Sequence, residues 1–287
     1  MELFGGIGTG LAAVLEAGLT VRQYVYVDDS PVSTRAARHH LHRLMVLYPQ
    51  QLLPTTIRGC FGRLPRDITL ISEEDLRMLG PMDLVIAGWP CQGHSRAGAG
   101  RGLEDPRSSL FWDLIRLMQW WFVHQPSPPG YILENVPLLG DSRAKVLEGR
   151  HYVCQHLGDP IFVDAAGLGS YSHRPRWLWT NLAPLSTLAA AFSAVPLPSY
   201  QKVDDILDPN RTSLPVVRDD LPPLASVNKV GAPRRAFPTF MTFPQSFAFR
   251  DRGPGMVWDA HTQSHCEPVA DERQRAMGFR TGTTAAP

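Results

Sequence analysis

The stretch LFGGIGTG, residues 3–10, decides the fold, because it joins a short apolar run to a helical pattern over Thr9–Ala17. The next apolar run is Tyr24–Val27, and it ends at Asp28 and Asp29. A strand, a glycine-rich turn, a helix and a second strand form one βαβ unit. Glycines in such a turn let the backbone approach a ligand, and the helix that follows presents its positive N-terminus to that ligand.

The alternation of strands and helices continues along the chain. Further helices are predicted at Pro31–Leu47, Ser72–Leu79 and Leu110–Val123, and further strands at Met82–Gly88, Tyr131–Leu133 and Arg176–Trp179. We therefore predict an α/β fold with a doubly wound, mostly parallel sheet.

The composition changes between residues 181 and 238. Nine prolines and a single glycine, Gly231, fall in this stretch, so it cannot continue a regular sheet. We predict a small inserted lobe at residues 183–237, with residues 1–182 and 238–287 forming the main domain. Within the latter segment, a short helix is predicted at Ala270–Gly278.

Composition narrows the class of protein. The chain has 287 residues, of which 44% are hydrophobic and 19% charged, and its formal net charge is +1. These values exclude a disordered chain and a chain whose overall basicity attracts polyanions. No apolar run approaches the roughly 18 residues of a membrane span, and no secretory signal pattern opens the chain. An intracellular protein without a membrane partner is therefore predicted.

The four cysteines lie far apart and form no Cys-x-x-Cys pair, which argues against a zinc ribbon or a disulfide framework. They are Cys60, Cys91, Cys154 and Cys266. The closest approach to a metal cluster is the set His261, His265 and Cys266. No second ligand pair accompanies this set, so we predict no metal site.

Two acids follow the second predicted strand. A carboxylate at that position, Asp28 above all, can bind the two ribose hydroxyls of a nucleoside cofactor. The glycine spacing in residues 5–10 is not the Gly-x-Gly-x-x-Gly pattern that cradles a dinucleotide phosphate, so an adenosine cofactor need not be a dinucleotide. The alternative is a tight turn with an acid at a helix N-cap.

The segment GWPCQGHS, residues 88–95, follows the predicted central strand. A cysteine at the carboxyl end of a parallel strand stands in the crevice where such sheets bind ligands, and its thiolate is a nucleophile. The alternative is a buried, inert cysteine, which is our interpretation of the other three. The glycines and arginines of Gly93–Ser109 predict a mobile lid that meets phosphates, against the alternative of a merely solvated loop.

Polar side chains also accompany the later strands. Glu134, within Glu-Asn-Val at residues 134–136, ends a strand beside the same crevice and can hold or deliver a proton. Arg174 and Arg176 project to one side of an extended segment, which suits carboxylate or phosphate contacts.

These motifs, in this order and rough spacing, resemble the signature motifs of the cytosine-C5 DNA methyltransferases. They are the glycine-rich Phe4–Gly10, Pro90-Cys91-Gln92, Glu134-Asn135-Val136 and Arg174-Pro175-Arg176. The resemblance covers nearly all of the chain apart from the proline-rich lobe. Thr9–Leu11 and Ser172–Leu182 look most like the eukaryotic de novo branch, including the plant domains-rearranged enzymes.

The resemblance implies an S-adenosyl-L-methionine-dependent methyltransferase fold and methylation of C5 in a cytosine flipped out of double-stranded DNA. Cys91 then adds to C6, and Glu134 contacts N3 and the exocyclic amine. Arg176 orients the base and Glu134, and Arg174 supports the loop. The residues that the resemblance assigns to the cofactor are Phe4, Gly6, Ile7, Thr9, Asp28, Asp29, Leu64, Pro90 and Leu110. Residues 183–237 become the target-recognition region, and a eukaryotic source implies a nuclear location.

Two departures from the family pattern affect the cofactor. Arg63 stands where an acid that reads the adenine amine is expected, and the sequence ends at Pro287, before the final family motif. We expect weakened cofactor binding, restored by a longer chain or by a partner methyltransferase chain. Two alternatives stay open: a tRNA cytosine-C5 methyltransferase, and a catalytically silent scaffold that binds DNA or a partner.

Overall fold

The computed structural model describes residues 1–95, 98–137, 141–196, 201–213, 234–241, 246, 248–249 and 253–284. The chain divides into two compact units. The first unit is Met1–Phe162 with Arg176–Ala189 and Thr284–Pro287, and the second is Val163–Pro175 with Ala190–Thr283.

A six-stranded sheet organises the first unit. Its strands are β1 (Glu2–Leu3), β2 (Tyr26–Val27), β3 (Leu84–Ala87), β4 (Gly130–Asn135), β5 (Ile161–Asp164) and β6 (Pro175–Thr180), in the order β2-β1-β3-β4-β6-β5. Strands β1 to β4 run parallel to one another, whereas β6 is antiparallel to β4. The mostly parallel sheet is confirmed. The strand order reverses direction at β1 and β3, and the carboxyl edge at such a point is where open α/β sheets bind ligands.

Four helices begin within one residue of their predicted starts: α1 (Thr9–Glu16), α2 (Pro31–Leu47), α3 (Glu73–Leu79) and α4 (Leu110–His124). Two further helices, α5 (Ala144–Leu157) and α6 (Leu185–Ser193), were not predicted. Ser30 caps α2 and accepts a hydrogen bond from the Ser33 amide, with Pro31 in the first turn. Ser72 and Asp75 form the capping box expected for α3.

The predicted strand at residues 24–27 is shorter in the structure. Only Tyr26 and Val27 pair with β1, although Tyr24 and Val25 are also buried. The amide of Tyr24 donates to the carbonyl of Thr56, and that of Tyr26 donates to the carbonyl of Cys60. The chain after α2 therefore runs along the outer edge of β2, and apolar content alone could not distinguish this arrangement from a longer strand.

Aromatic side chains of α4 pack beneath the segment that carries Cys91. Phe111 and Trp121 are fully buried, and the ring of Trp89 lies 5.3 Å from Phe111 and 5.5 Å from Trp179. Burying a large apolar side chain contributes about 1.5–3 kcal/mol, so this cluster gives residues 89–91 a rigid base.

The second unit is built around a small antiparallel sheet. Its strands are β7 (Arg211–Thr212), β8 (Val257–Asp259) and β9 (Ser264–Cys266), and helix α7 (Ala270–Ala276) follows. Phe237, Val257 and Ala276 share one buried cluster. This unit is therefore larger than the predicted lobe at 183–237, because residues beyond 237 pack with it. Gly278, at φ +84°, follows α7 as predicted.

Candidate active site at the carboxyl edge of the sheet

The glycine-rich turn after β1 adopts a strained course. Gly6 and Gly8 have φ values of +53° and +79°, and Phe4, which has a side chain, also lies at φ +53°. A positive φ costs free energy for a residue that has a side chain. Such a conformation persists where the surrounding structure requires it, often at a ligand site. The Tyr26 hydroxyl donates to the Gly6 carbonyl at 2.7 Å, which fixes the turn against β2.

Asp28 lies at the end of β2, where the sequence predicts a ribose-binding carboxylate. Its Oδ2 accepts from the Gly6 amide at 2.8 Å, and its Oδ1 accepts from the Ser30 amide at 2.9 Å. Burial raises the pKa of Asp28, although these two hydrogen bonds oppose the shift. A carboxylate offers about four acceptor positions, so two amides leave acceptor capacity for hydroxyl groups. A Cβ placed on Gly6 would meet nothing within 4 Å, so there is open space beside the carboxylate. The residues here fit a nucleoside cofactor.

The sequence predicts that the N-terminus of α1 faces a ligand, but in the structure a side chain of the protein occupies it. The amides of Gly10 and Leu11 donate to the carboxylate of Glu2, at 2.8 and 3.2 Å, and the Tyr24 hydroxyl donates to it at 2.6 Å. Glu2 is 5% exposed, and burial raises its pKa. Sequence reasoning missed Glu2, since an acid inside a first strand gives no signal of the helix that it caps.

The remaining predicted cofactor residues divide by exposure. Thr9 and Asp29 are exposed, and Ile7 and Leu110 are partly buried. Leu64 is 6% exposed and lies in the main core cluster, which favours a packing role. The carbonyl of Pro90 accepts a hydrogen bond from the Ser108 hydroxyl at 3.0 Å.

Arg63 is exposed, and an acid that we did not consider follows it. Asp67 caps a short 3₁₀ turn by accepting from the amide and hydroxyl of Thr69, at 2.9 and 2.7 Å. Its neighbour Arg66 donates to the carbonyls of Asp28 and Asp29, so this segment passes the end of β2. Asp67 is therefore an acid of this segment that lies one residue after the contact with the end of β2.

Cys91 follows β3 at the same edge of the sheet and is half-buried. Its carbonyl accepts from the amides of His94 and Ser95, at 2.9 and 2.8 Å, which forms a tight turn directly after the thiol. The pKa of the Arg107 guanidinium is raised, mainly by its hydrogen bonds to Asp105 and additionally by Cys91. A cation within electrostatic reach of a thiol favours the thiolate.

The other three cysteines have the chemistry of unreactive thiols. Cys60 is 1% exposed, and burial raises its pKa to about 11. Burial also raises the pKa of Cys154 and Cys266. At neutral pH these groups are thiols, which are poor nucleophiles.

Glu134 and Arg176 meet at the ends of adjacent strands. Arg176 Nε donates to Glu134 Oε1, and the two side chains are 16% and 29% exposed, respectively. A Cβ built on Gly88 would lie 2.8 Å from Glu134 Oε2, so this carboxylate lies against the end of β3. The Asn135 side-chain amide donates to the Trp89 carbonyl at 3.1 Å, which ties β4 to the segment carrying Cys91. The structure thus brings Glu134 and Arg176 together beside this segment.

Arg174 belongs to the second unit. Its amide donates to Asp164 Oδ1 at 2.8 Å, Asp164 also pairs with His173, and the residue is exposed. Its role in supporting the loop stays a prediction.

His94 lies three residues after Cys91, and sequence reasoning assigned it no role. The residue is 3% exposed, and neither ring nitrogen has a hydrogen-bond partner among the described residues. Burial lowers the pKa of His94 to about 4, although Asp105 attracts the charged form.

A cavity of about 550 Å³ lies elsewhere, at the amino edge of the sheet. Its lining includes Leu11, Val14 and Leu19 of the α1 region and Asp83 before β3. Ligands of open α/β sheets bind at the opposite edge, so the site is the crevice around Asp28 and Cys91. The described residues hold no group of three or more His, Cys, Asp or Glu side chains that could bind a metal ion. His261 and His265, four residues apart, would face the same side only in a helix, but His265 lies in strand β9.

Known proteins match the part of the chain that carries Cys91 and Glu134. Residues 62–158 match the family C-5 cytosine-specific DNA methylase. Type II methyltransferase M1.ScrFI of Lactococcus lactis subsp. cremoris is 30% identical over 107 residues, 36% of this chain and 25% of that protein. Type II methyltransferase M.NlaIV of Neisseria lactamica is 41% identical over 70 residues, 24% of this chain and 15% of that protein.

These alignments cover a quarter or less of each relative's length. Among solved structures, the S. pombe Dnmt2 methyltransferase aligns at TM-score 0.48 and 18% identity, over 72% of this chain and 58% of that one. The segment from residue 62 to residue 158 holds both Cys91 and Glu134. Over this segment the chain is therefore similar to the C-5 cytosine-specific DNA methylase family.

Proposed function

We propose that this protein transfers a methyl group from S-adenosyl-L-methionine to C5 of cytosine in double-stranded DNA. The observation that carries the proposal is the Arg176–Glu134 pair beside the strand end that bears Cys91. A nucleophile, a carboxyl group and a cation that orients it form a constellation for addition to a polarised ring. The match of residues 62–158 supports the same reaction class.

The chemistry of the described residues follows from their positions. The Cys91 thiolate adds to C6 of the cytosine, and Glu134 holds a proton at N3, which offsets the negative charge that builds up in the ring. Arg176 fixes the orientation of the Glu134 carboxyl group by donating to Oε1. C5 thereby becomes nucleophilic, and loss of the C5 proton after methylation expels Cys91. The base must leave the duplex stack for Cys91 to reach C6.

The cofactor supplies an electrophilic methyl group when it is bound. Asp28 would accept from the ribose hydroxyls, since its carboxylate keeps acceptor capacity beside the open space at Gly6. Asp67 would accept from the adenine amine, because its segment passes the end of β2. Phe4 and Gly6 hold the turn in the conformation that leaves this space open.

Phosphate contacts would come from arginines near the site. Arg101 is exposed, and Arg107 is exposed but paired with Asp105. Arg234 and Arg235 are also predicted from the sequence to contact phosphates, but Arg234 is only 8% exposed and donates to the Met256 carbonyl, so it is a structural residue. Arg96 lies outside the described residues. Because these contacts are electrostatic, DNA binding should weaken steeply as salt rises.

A trapping experiment tests the proposal. A duplex carrying 5-fluorocytosine is incubated with the protein and the cofactor; the fluorine blocks the final elimination, so methylation leaves Cys91 bonded to C6. We expect a covalent protein–DNA adduct that Cys91→Ser abolishes and that Cys60→Ser, Cys154→Ser and Cys266→Ser preserve. A parallel reaction with tRNA separates the two nucleic-acid substrates. An adduct that survives Cys91→Ser, or methylation of tRNA alone, would contradict the proposal.

Three finer features stay predictions: the eukaryotic de novo branch with a nuclear location, a partner methyltransferase chain, and target recognition by residues 183–237. Much of this last segment, residues 197–200 and 214–233, lies outside the described residues. None of the helices in the described residues is both long and apolar enough to cross a membrane.

A further inference from the structure

The segment that follows Cys91 packs against helix α5. We call residues 92–109 the catalytic loop; all of them except 96 and 97 are described. The Gly93 amide donates to Ser108 Oγ at 2.9 Å, and the Gly102 amide donates to the Gly93 carbonyl at 2.9 Å. The two ends of the loop are therefore joined, directly below the turn that begins at Cys91.

One guanidinium group holds the main chain of this loop. Arg143, the residue directly before α5, donates through Nη1 to the Gly98 carbonyl at 2.9 Å and through Nη2 to the Ser95 carbonyl at 3.0 Å. Asp141 fixes the guanidinium by accepting from Nε at 2.9 Å, and the Asp141 side chain is only 8% exposed. Charge-assisted, two-pronged contacts of this kind define both distance and direction.

Glycines make the close approach possible. A Cβ on Gly98 would lie 1.7 Å from the Gln92 carbonyl oxygen, and one on Gly102, at φ +58°, would lie 2.0 Å from the Lys145 carbonyl oxygen. On α5 itself, a Cβ on Gly149 would lie 2.7 Å from Cε1 of His94. These loop glycines have the pattern of a mobile lid, whereas in the structure they allow close backbone packing.

Arg143 is connected to Cys91 by two consecutive hydrogen bonds. Its Nη2 holds the Ser95 carbonyl, and the Ser95 amide donates to the Cys91 carbonyl at 2.8 Å. The Ser95 carbonyl and amide lie in consecutive peptide units joined at its Cα, so a shift of the Ser95 backbone changes the turn that places the thiol. Errors of about 1 Å in the placement of a reacting group can cost on the order of a hundredfold in rate.

We infer that Arg143 is a positioning residue, which sets the course of the catalytic loop and thereby the position of the Cys91 thiol. The effect on catalysis rests on the proposed function, whereas the effect on the loop does not. Lysine can replace the charge of Arg143 but not its planar set of donors, since an ammonium group cannot bind two carbonyls and Asp141 in the same planar geometry. Glutamine removes the charge as well.

The chain provides a matched control. Arg116 on α4 also bridges two carbonyls, those of Ile71 and Ile68 at 2.8 and 3.2 Å, and also pairs with an aspartate, Asp113. Its side chain is 43% exposed and that of Arg143 35%, so the two sites have similar solvation. Arg116 does not contact the catalytic loop among the described residues.

The experiment measures loop order and chemistry separately in R143K, R143Q and R116Q of the full chain. Hydrogen exchange of peptides covering residues 98–109 reports the loop, because the Gly102 amide bonds to the Gly93 carbonyl. The single-turnover rate of adduct formation with 5-fluorocytosine DNA reports thiol placement. Urea unfolding and cofactor titration report stability and the cofactor site.

In R143Q we expect the loop amides to exchange about tenfold faster than in the wild type. The adduct should form about tenfold more slowly, and cofactor affinity should be unchanged. R143K should retain part of the loop protection, and R116Q should lower stability by a similar amount while leaving loop exchange and adduct rate as in the wild type. The inference would be overturned if amide exchange in the loop of R143Q were as slow as in the wild type. It would also be overturned if R116Q accelerated this exchange as much as R143Q. If the wild type forms no adduct, the proposed function fails and exchange alone decides the role of Arg143.

Discussion

The buried imidazole of His94 should make stability depend on pH in a defined window. Burial lowers its pKa from the usual 6.5 to about 4. The unfolded chain then binds a proton that the folded chain excludes, so stability is complete above pH 6.5 and falls as the pH decreases towards 4. At pH 5 the unfolded imidazole is almost fully protonated and the folded one is about nine-tenths neutral, and integration from pH 7.5 gives a loss of about 2 kcal/mol.

Phenylalanine at position 94 removes the titrating group and the two nitrogens that have no partner among the described residues. The free energy of unfolding, measured with urea at pH values from 7.5 to 5, should fall by about 2 kcal/mol less in H94F than in the wild type. The burial-raised pKa values of Glu2 and Asp28 act in the opposite direction, since a group that gains protons on folding gains stability in acid. Their contributions cancel between the two proteins.

At pH 7.5, H94F should be as stable as the wild type or more stable, because an unsatisfied buried polar group costs about 1–3 kcal/mol. His42→Phe, on the exposed face of α2, is the control and should leave the pH profile unchanged. Parallel profiles for H94F and the wild type between pH 7.5 and 5 would show that the imidazole reaches solvent or finds a partner, and would refute the reasoning.

Three other substitutions test separate parts of the site. Glu134→Gln should slow adduct formation with 5-fluorocytosine DNA by about 10²- to 10⁴-fold without changing cofactor affinity, and an unchanged rate would remove Glu134 from the mechanism. Asp28→Asn should weaken cofactor binding about tenfold in calorimetry, whereas Asp83→Asn, an exposed acid before β3, should not. Equal effects of the two substitutions would show that Asp28 does not bind the ribose. Gly149→Ala should destabilise by about 1–3 kcal/mol in urea despite its better helix propensity, because its Cβ meets His94 at 2.7 Å, and a stabilised variant would show that the ring moves freely.

Local patterns in the sequence predicted α1 to α4 and α7, but not α5 or α6. Pro31 and Ser72 mark helix starts because their effects act within one turn, and the structure places α2 and α3 there. Cys91 and Glu134 are predicted as site residues because a polar residue at or soon after the end of an apolar strand lies near the carboxyl edge, and the structure places both residues there.

Contacts between distant residues could not be predicted in this way. Glu2 caps α1 from inside a strand, and Arg143 reaches Ser95 across 48 positions of sequence. The loop glycines show the same limit, since Gly102 has the composition signal of a flexible segment but lies against α5. Only the folded backbone distinguishes a glycine needed for freedom from one needed for space.

The direction of β6 decides whether the Glu134–Arg176 pair can exist. In a parallel strand, Arg176, the second residue of β6, would lie at the amino edge of the sheet, away from Glu134 near the carboxyl end of β4. Because β6 is antiparallel, its first residues lie beside the last residues of β4, with Asn135 opposite Trp177 and Glu134 opposite Leu178. The sequence predicts both strands but carries no sign of their relative direction. The reversal at β6 thus places a cation next to the carboxyl group, at the edge where β3 presents Cys91.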